Sequence, residues 1–375
     1  MSRVKLDSIQ MLRGLAALFV LLYHIALEQI NAVGRPPDVD SWLLHGPWIQ
    51  GYAGVDLFFV ISGFIMVYVT RAHDSTPNKG RKIAEVGAFL YRRIVRIYPL
   101  WWVFAGVLGL YYFLSKGIWA GPHLGLSAAE SLDYFIKSMA LVPLGKQPIL
   151  VVGWTLVHEL QFYLIFALLL FAPRRILPLL LAVWAAVNIA GFYAGLPKLG
   201  VLAALVFSPY SLEFIAGAVA ALLTVKRLYI APKTILIFGL LMLCVVVGFH
   251  LDNAVIKSPY RMFLYGVPFT AIIYGLTALE QQGRLSISRG LVILGDWSYS
   301  LYLSHMIVLI ILSRVAREAA AYLPENIVST FSLGAVGIVD NIAYSVAALI
   351  LAIISAGMSF YMIERPLLRL ARRRK

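Results

Sequence analysis

Ten apolar stretches of about twenty residues divide the chain, at approximately 8–28, 52–71, 98–115, 152–172, 175–195, 202–224, 232–250, 260–280, 290–313 and 340–362. A helix of that length covers the hydrocarbon of a bilayer, where every backbone N–H and C=O has to be satisfied within the protein. The pattern therefore predicts an all-α, polytopic membrane protein of about ten transmembrane helices in one bundle. It is expected to form a single domain over residues 1–375, with a basic tail from about 364. Only 13% of the residues are charged, against about a quarter in soluble domains.

The basic residues report orientation. They fall mostly in alternate loops, and the side carrying both termini holds more than twice as many Lys and Arg as the opposite side. Positive loops stay inside, so both termini are expected in the cytoplasm. The net charge of +14 is thereby read as membrane orientation and not as a nucleic-acid surface. The outward loop 29–51 carries Trp42 and Trp48 as interface anchors. The cytoplasmic loop 72–97 is expected to be flexible before Glu85. From there an amphipathic basic helix should run to Tyr98 and end at Pro99. Met1 to Lys5 followed by the short apolar run Leu15 to Ile25 resembles a signal peptide. Arg13 interrupts it, however, and no clean cleavage site comes after it, so the segment is expected to stay as a helix. Cys244 is the single cysteine and forms no intrachain disulfide. No metal site is expected: His158-Glu159 opens like HExxH, but Phe162 stands where the second histidine belongs.

Ionisable groups inside the spans are the candidates for function, because a bilayer tolerates them only for a reason. Arg13 and His24 lie eleven residues apart, close to three turns, on one face of the first helix and about 16 Å apart along its axis. The plain alternatives are a snorkelling anchor and a packed core histidine. Asp56 is expected near the outer end of the second helix, close to His24, and Ser62-Gly63 offers a packing notch or a functional position. Arg93 and Arg96 share a helix face and suit a phosphate-rich ligand, or else serve as ordinary inside charge or as contacts to anionic lipid. Glu159 sits one to two turns inside the fourth span and needs a partner. Ser298, Tyr302 and His305 share a face, expected to line a cavity. Glu213 and Glu364-Arg365 are further candidates, the last read as a structural interface pair.

Together these segments resemble the integral membrane acyltransferase family 3, in the pattern of succinoglycan-type exopolysaccharide O-acetyltransferases. Arg13 and His24 match that family's Arg/Lys-x10-His, and Arg93 and Arg96 match its Arg-x-x-Arg. Trp154 to Tyr163 match Trp-Ser-Leu-x-x-Glu-x-x-Phe-Tyr, with Thr155 in place of Ser, and Ser298 to His305 match Ser-Tyr-Ser-x-Tyr-Leu-x-His. Each motif is short, but the four stand in order on one chain from Leu6 to Pro366.

The resemblance implies transfer of an acyl group, usually acetyl, from cytoplasmic acetyl-CoA or another acyl-CoA to a sugar hydroxyl of an exopolysaccharide or other cell-surface glycan, often lipid-linked, across the bacterial inner membrane. It implies His24 and Glu159 as catalytic, and Arg13, Arg93 and Arg96 as binding acyl-CoA. Asp56, Trp154, Tyr163, Ser298, Tyr302 and His305 would then face substrate. His24 would act as a general base in direct transfer or as a covalent acyl carrier. Acyl-CoA, the glycan acceptor and membrane lipid are the expected partners, with no metal and no nucleic acid, and a homodimer is raised. The rival reading is a glycan or lipid transporter or flippase. The lack of a clear internal repeat weighs against it.

Overall fold

The computed structural model describes residues 5–33, 46–71, 79–121, 124–248, 260–320, 322, 324 and 338–373. Among them the secondary structure is helical, with no strand. The helices, in chain order, are α1 (Asp7–Val33), α2 (Gly54–Val69, entered through a tight 3-10 turn, Pro47–Ala53), α3 (Lys79–Lys116) and α4 (Ala128–Met139). They continue with α5 (Trp154–Leu169), α6 (Leu177–Tyr193), α7 (Val201–Val206), α8 (Tyr210–Val225) and α9 (Pro232–Gly248). The last four are α10 (Val267–Gln281), α11 (Arg289–Ala320), α12 (Ile338–Ser359) and α13 (Arg365–Arg373).

Nine helices among the described residues are long and apolar enough to cross a membrane. The remaining expected span, α9, is apolar but has 17 residues. The multi-pass architecture read from the apolar runs is thus the architecture observed. Large side chains such as Leu168, Leu202, Leu241 and Ile354 are exposed around the outside. Towards lipid such a surface carries no penalty.

The bundle is drawn together at two glycine crossings. A Cβ on Gly63 of α2 would fall 1.8 Å from the Phe214 carbonyl oxygen of α8, and one on Gly217 of α8 would fall 1.8 Å from that of Val60. The packing reading of Ser62-Gly63 is therefore realised at Gly63. A Cβ on Gly295 of α11 would fall 1.9 Å from the Gln10 oxygen of α1. Only glycine permits such approach. The second crossing lays α1 and α11 side by side in parallel, so that the residues after Arg13 on one helix meet those after Gly295 on the other.

Two expectations are corrected. The amphipathic helix expected within the 72–97 segment does not begin at Glu85 or end at Pro99: α3 runs unbroken from Lys79 to Lys116 with Pro99 inside it. A proline removes one donor, and in a membrane bundle neighbours can take up the freed backbone groups. The carbonyl left without its donor is that of Val95; the Tyr299 hydroxyl adds a further bond two residues before the proline, to the Ile97 carbonyl at 2.7 Å. Residues 72–78, part of the loop read as flexible, lie outside the described residues, as does Trp42.

Candidate active site

α1, α2, α3, α5 and α11 enclose a cavity of about 280 Å³. Its polar lining comes from helix faces at the spacings that helix geometry allows. Arg93 and Arg96 are three residues apart on α3, Thr155, Glu159 and Tyr163 lie at four-residue steps on α5, and Tyr299 and Tyr302 are three apart on α11.

One end of the cavity is cationic. Arg13, Arg93 and Arg96 all line it. Arg13 donates to Gln10 at 3.2 Å. Arg93 lies over the rings of Phe89 and Tyr163, at 5.8 and 5.7 Å. Arg96 lies over Tyr299 at 5.5 Å and pairs with Glu364 at 2.9 Å. Arg93 Nε and Arg96 Nη2 are buried without a hydrogen-bond partner among the described residues. Buried donors in native structures are nearly always satisfied, so these two nitrogens call for a partner from outside the described residues. Glu159 stands between the ends, accepting from Tyr163 and, at 3.1 Å, from Ser62. Three guanidinium groups and one carboxylate give the cavity a surplus of positive charge suited to phosphate groups.

The other end is closed by aromatic rings. The Tyr302 hydroxyl donates to the Val152 carbonyl at 3.0 Å and meets the Thr155 hydroxyl at 2.8 Å. Its ring packs edge-on against Phe58, with centroids 5.6 Å apart. Next to Tyr302 lies the histidine pair. His305 is fully buried, 6.1 Å from the Tyr302 ring, and His24 is half-buried at 5.0 Å from His305. His24 Nδ1 lies 2.8 Å from the Val20 carbonyl oxygen, and His305 Nδ1 lies 3.0 Å from that of Leu301. The Nε2 of His305 faces the Nδ1 of His24 at 3.3 Å. Tyr302, which lines the cavity, thus stands beside the histidine pair.

Of the residues singled out from the sequence, Arg13, Arg93, Arg96, Glu159, Tyr163 and Tyr302 line one cavity, and His24 and His305 meet beyond its end. Trp154 is outside the lining and packs on Phe59, His158 and Tyr210. Ser298 is fully buried, its hydroxyl has no partner among the described residues, and it too is off the cavity. Asp56 is not open to a ligand. Its two oxygens take Nε and Nη2 of Arg261 at 2.5 and 2.6 Å, beside Glu213 and under Tyr52 and Tyr210.

Two contributors are not placed at the site by the sequence. Glu364, which reads as an interface pair with Arg365, instead holds Arg96 and accepts from Ser300 at 2.7 Å. The cause is local: Phe360–Glu364 form a turn of π-helix, which widens the helix and turns Glu364 inward, while Arg365 lies over Tyr361. Arg261, which takes up Asp56, stands at the start of the 260–280 run, where it reads as one of the charges that report orientation. The cue to its role is that Asp56, a carboxylate inside an apolar span, requires a cation.

A family model described as an acyltransferase domain matches residues 6–360. The exopolysaccharide production protein ExoZ of Rhizobium meliloti (strain 1021) is 31% identical, over 87% of this chain and 92% of its own. The acyltransferase MdmB of Streptomyces mycarofaciens is 29% identical, over 99% of this chain and 94% of its own. The putative membrane-bound transacylase BcsY of Komagataeibacter xylinus is 29% identical over 35% of this chain and 34% of its own. No solved structure matches.

Proposed function

The chain belongs to the acyltransferase domain family, and from that premise we propose that it moves an acetyl or similar acyl group from cytoplasmic acyl-CoA to a sugar hydroxyl of a cell-surface glycan at the inner membrane of a bacterium. The observation that carries this reading is a cavity with three guanidinium groups at one end and a histidine pair just past the other. Arg13, Arg93 and Arg96, which line the cavity, hold the phosphates of coenzyme A through charge-assisted bonds. The pantetheine arm occupies the cavity and presents the thioester at Phe58 and Tyr302.

His24 then acts as the general base. It removes the proton of the acceptor hydroxyl as that oxygen attacks the thioester carbonyl carbon. The C–S bond breaks, an ester forms, and the departing thiolate recovers the proton from the imidazolium. Glu159, held by Ser62 and Tyr163, tempers the positive charge of the donor site. His24 is half-buried, which leaves part of the residue accessible to an acceptor. The glycan acceptor is supported by the similarity to a protein named for exopolysaccharide production.

The test is transfer itself. Protein in nanodiscs is supplied with acetyl-CoA labelled in the acetyl group and with polysaccharide from the cell that encodes it. Label on the glycan together with free thiol supports the proposal. A glycan carried across a sealed vesicle with acetyl-CoA left intact would replace it with a transporter.

A further inference from the structure

We infer that His305 is a positioning residue that, together with the Val20 carbonyl, holds the proton of His24 on Nδ1, leaving Nε2 of His24 as the base. The inference rests on the acyltransferase reading and adds to it a named atom and a second residue.

A backbone carbonyl can only accept a hydrogen bond, and a neutral imidazole has one donor nitrogen and one acceptor. The Val20 carbonyl lies 2.8 Å from His24 Nδ1, so Nδ1 carries the hydrogen. The Leu301 carbonyl lies 3.0 Å from His305 Nδ1, so that nitrogen carries the hydrogen too. The Nε2 of His305 is then a bare lone pair, and it faces the Nδ1–H of His24 at 3.3 Å. That one N–H has two acceptors around it. The opposite tautomer would set a bare Nδ1 against a carbonyl oxygen and a second lone pair at once.

The arrangement serves both halves of the reaction. Before transfer it leaves the lone pair of His24 on Nε2, the nitrogen for which the structure supplies no protein partner among the described residues. During transfer, when Nε2 has taken the hydroxyl proton, the positive ring keeps its two acceptors at Nδ1. In a Ser-His-Asp triad a carboxylate does this; here a neutral ring does it, and no extra charge is brought into the bundle. His305 is itself held against rotation by the Leu301 carbonyl and the Tyr302 ring. A second-layer partner that sets a histidine's tautomer is a general requirement wherever imidazole must act through one chosen nitrogen.

The test uses the full chain in nanodiscs with 15N-labelled histidine, and His24→Ala identifies the His24 signals. The wild-type Nε2 of His24 should resonate as an unprotonated nitrogen and Nδ1 as a protonated one. In His305→Phe both should move towards the average of two tautomers, and kcat should fall about tenfold or more with the KM for acetyl-CoA within twofold. His305→Gln, whose amide oxygen can accept from Nδ1–H, should recover most of the turnover. A protonated Nε2 in the wild type, or signals unmoved in His305→Phe, would overturn the inference, as would a Gln variant no better than Phe. The nitrogen signals do not depend on turnover. If His24→Ala keeps full activity while the wild-type signals are as expected, it is the base assignment that has failed and not the tautomer.

Discussion

Arg96 Nη1 and Glu364 Oε1 stand 2.9 Å apart, which ties the basic face of α3 to the π-turn after α12. The Glu364 side chain is 2% exposed and that of Arg96 is 28% exposed. Ser300 donates to the same carboxylate. The pair anchors the guanidinium of Arg96, a residue that lines the cavity.

Removing that carboxylate leaves a partly buried cation unpaired. Breaking a buried pair costs about 3–5 kcal/mol, and the exposure of Arg96 puts Glu364→Ala near the lower figure. Thermal unfolding in detergent should show the loss, with Glu364→Gln milder because it can still accept from Ser300. Equal melting of all three proteins would mean that the pair contributes nothing to the fold.

The donor site should separate from the chemistry in binding measurements. A hydrogen bond to a charged group contributes about 1.5–3 kcal/mol, so Arg93→Ala should weaken acetyl-CoA binding by roughly ten- to a hundredfold. Arg93→Lys should restore little, since an ammonium cannot reproduce the guanidinium fork. Titration calorimetry on nanodisc samples reads both. Unchanged affinity in Arg93→Ala would remove that residue from the donor site.

Phe58 and Tyr302 both line the cavity and the Tyr302 ring lies beside His305, so in the proposed mechanism these rings part for a thioester to meet His24. Phe58→Trp adds bulk at that point. Turnover should fall on the order of a hundredfold, the size expected when reacting atoms are held about an ångström out of place, while acetyl-CoA affinity stays as in the wild type. Wild-type turnover in Phe58→Trp would show that the thioester takes another route.

Asp56 and Arg261 make a two-point buried pair outside the lining of the cavity. Asp56→Ala should destabilise by about 3–5 kcal/mol, and Asp56→Leu combined with Arg261→Met should melt closer to the wild type than either single change. Were Asp56 a contact for the acceptor, Asp56→Asn would lower kcat/KM without lowering the melting temperature. The two readings therefore part in one pair of assays.

The spans are legible in the sequence because a lipid-facing backbone has no alternative to the helix. The Arg13–His24 and Arg93–Arg96 faces are legible because helix periodicity fixes which residues look the same way. The features that escape the sequence depend on partners distant along the chain or on small departures from the regular helix. Asp56 finds Arg261 across 205 positions, and nothing local distinguishes that arginine from the other charges that report orientation. Glu364 reaches Arg96 only because one π-turn shifts its direction. Pro99 reads as a stop in a soluble helix, yet here the helix continues through it, with Tyr299 bonded to the carbonyl of Ile97 in the same turn. The meeting of His24 and His305 arises from the parallel α1–α11 crossing at Gly295, which helix periodicity alone does not give.

The central claim, that the cations hold the donor and His24 performs the transfer, is tested most directly by acceptor-dependent thiol release from acetyl-CoA in wild type and His24→Ala, with donor binding measured on the same samples. The proposed mechanism predicts that His24→Ala binds acetyl-CoA as the wild type does and that its release falls by about 10²–10⁴-fold, the usual contribution of a general base. Release at the wild-type rate from His24→Ala would contradict it.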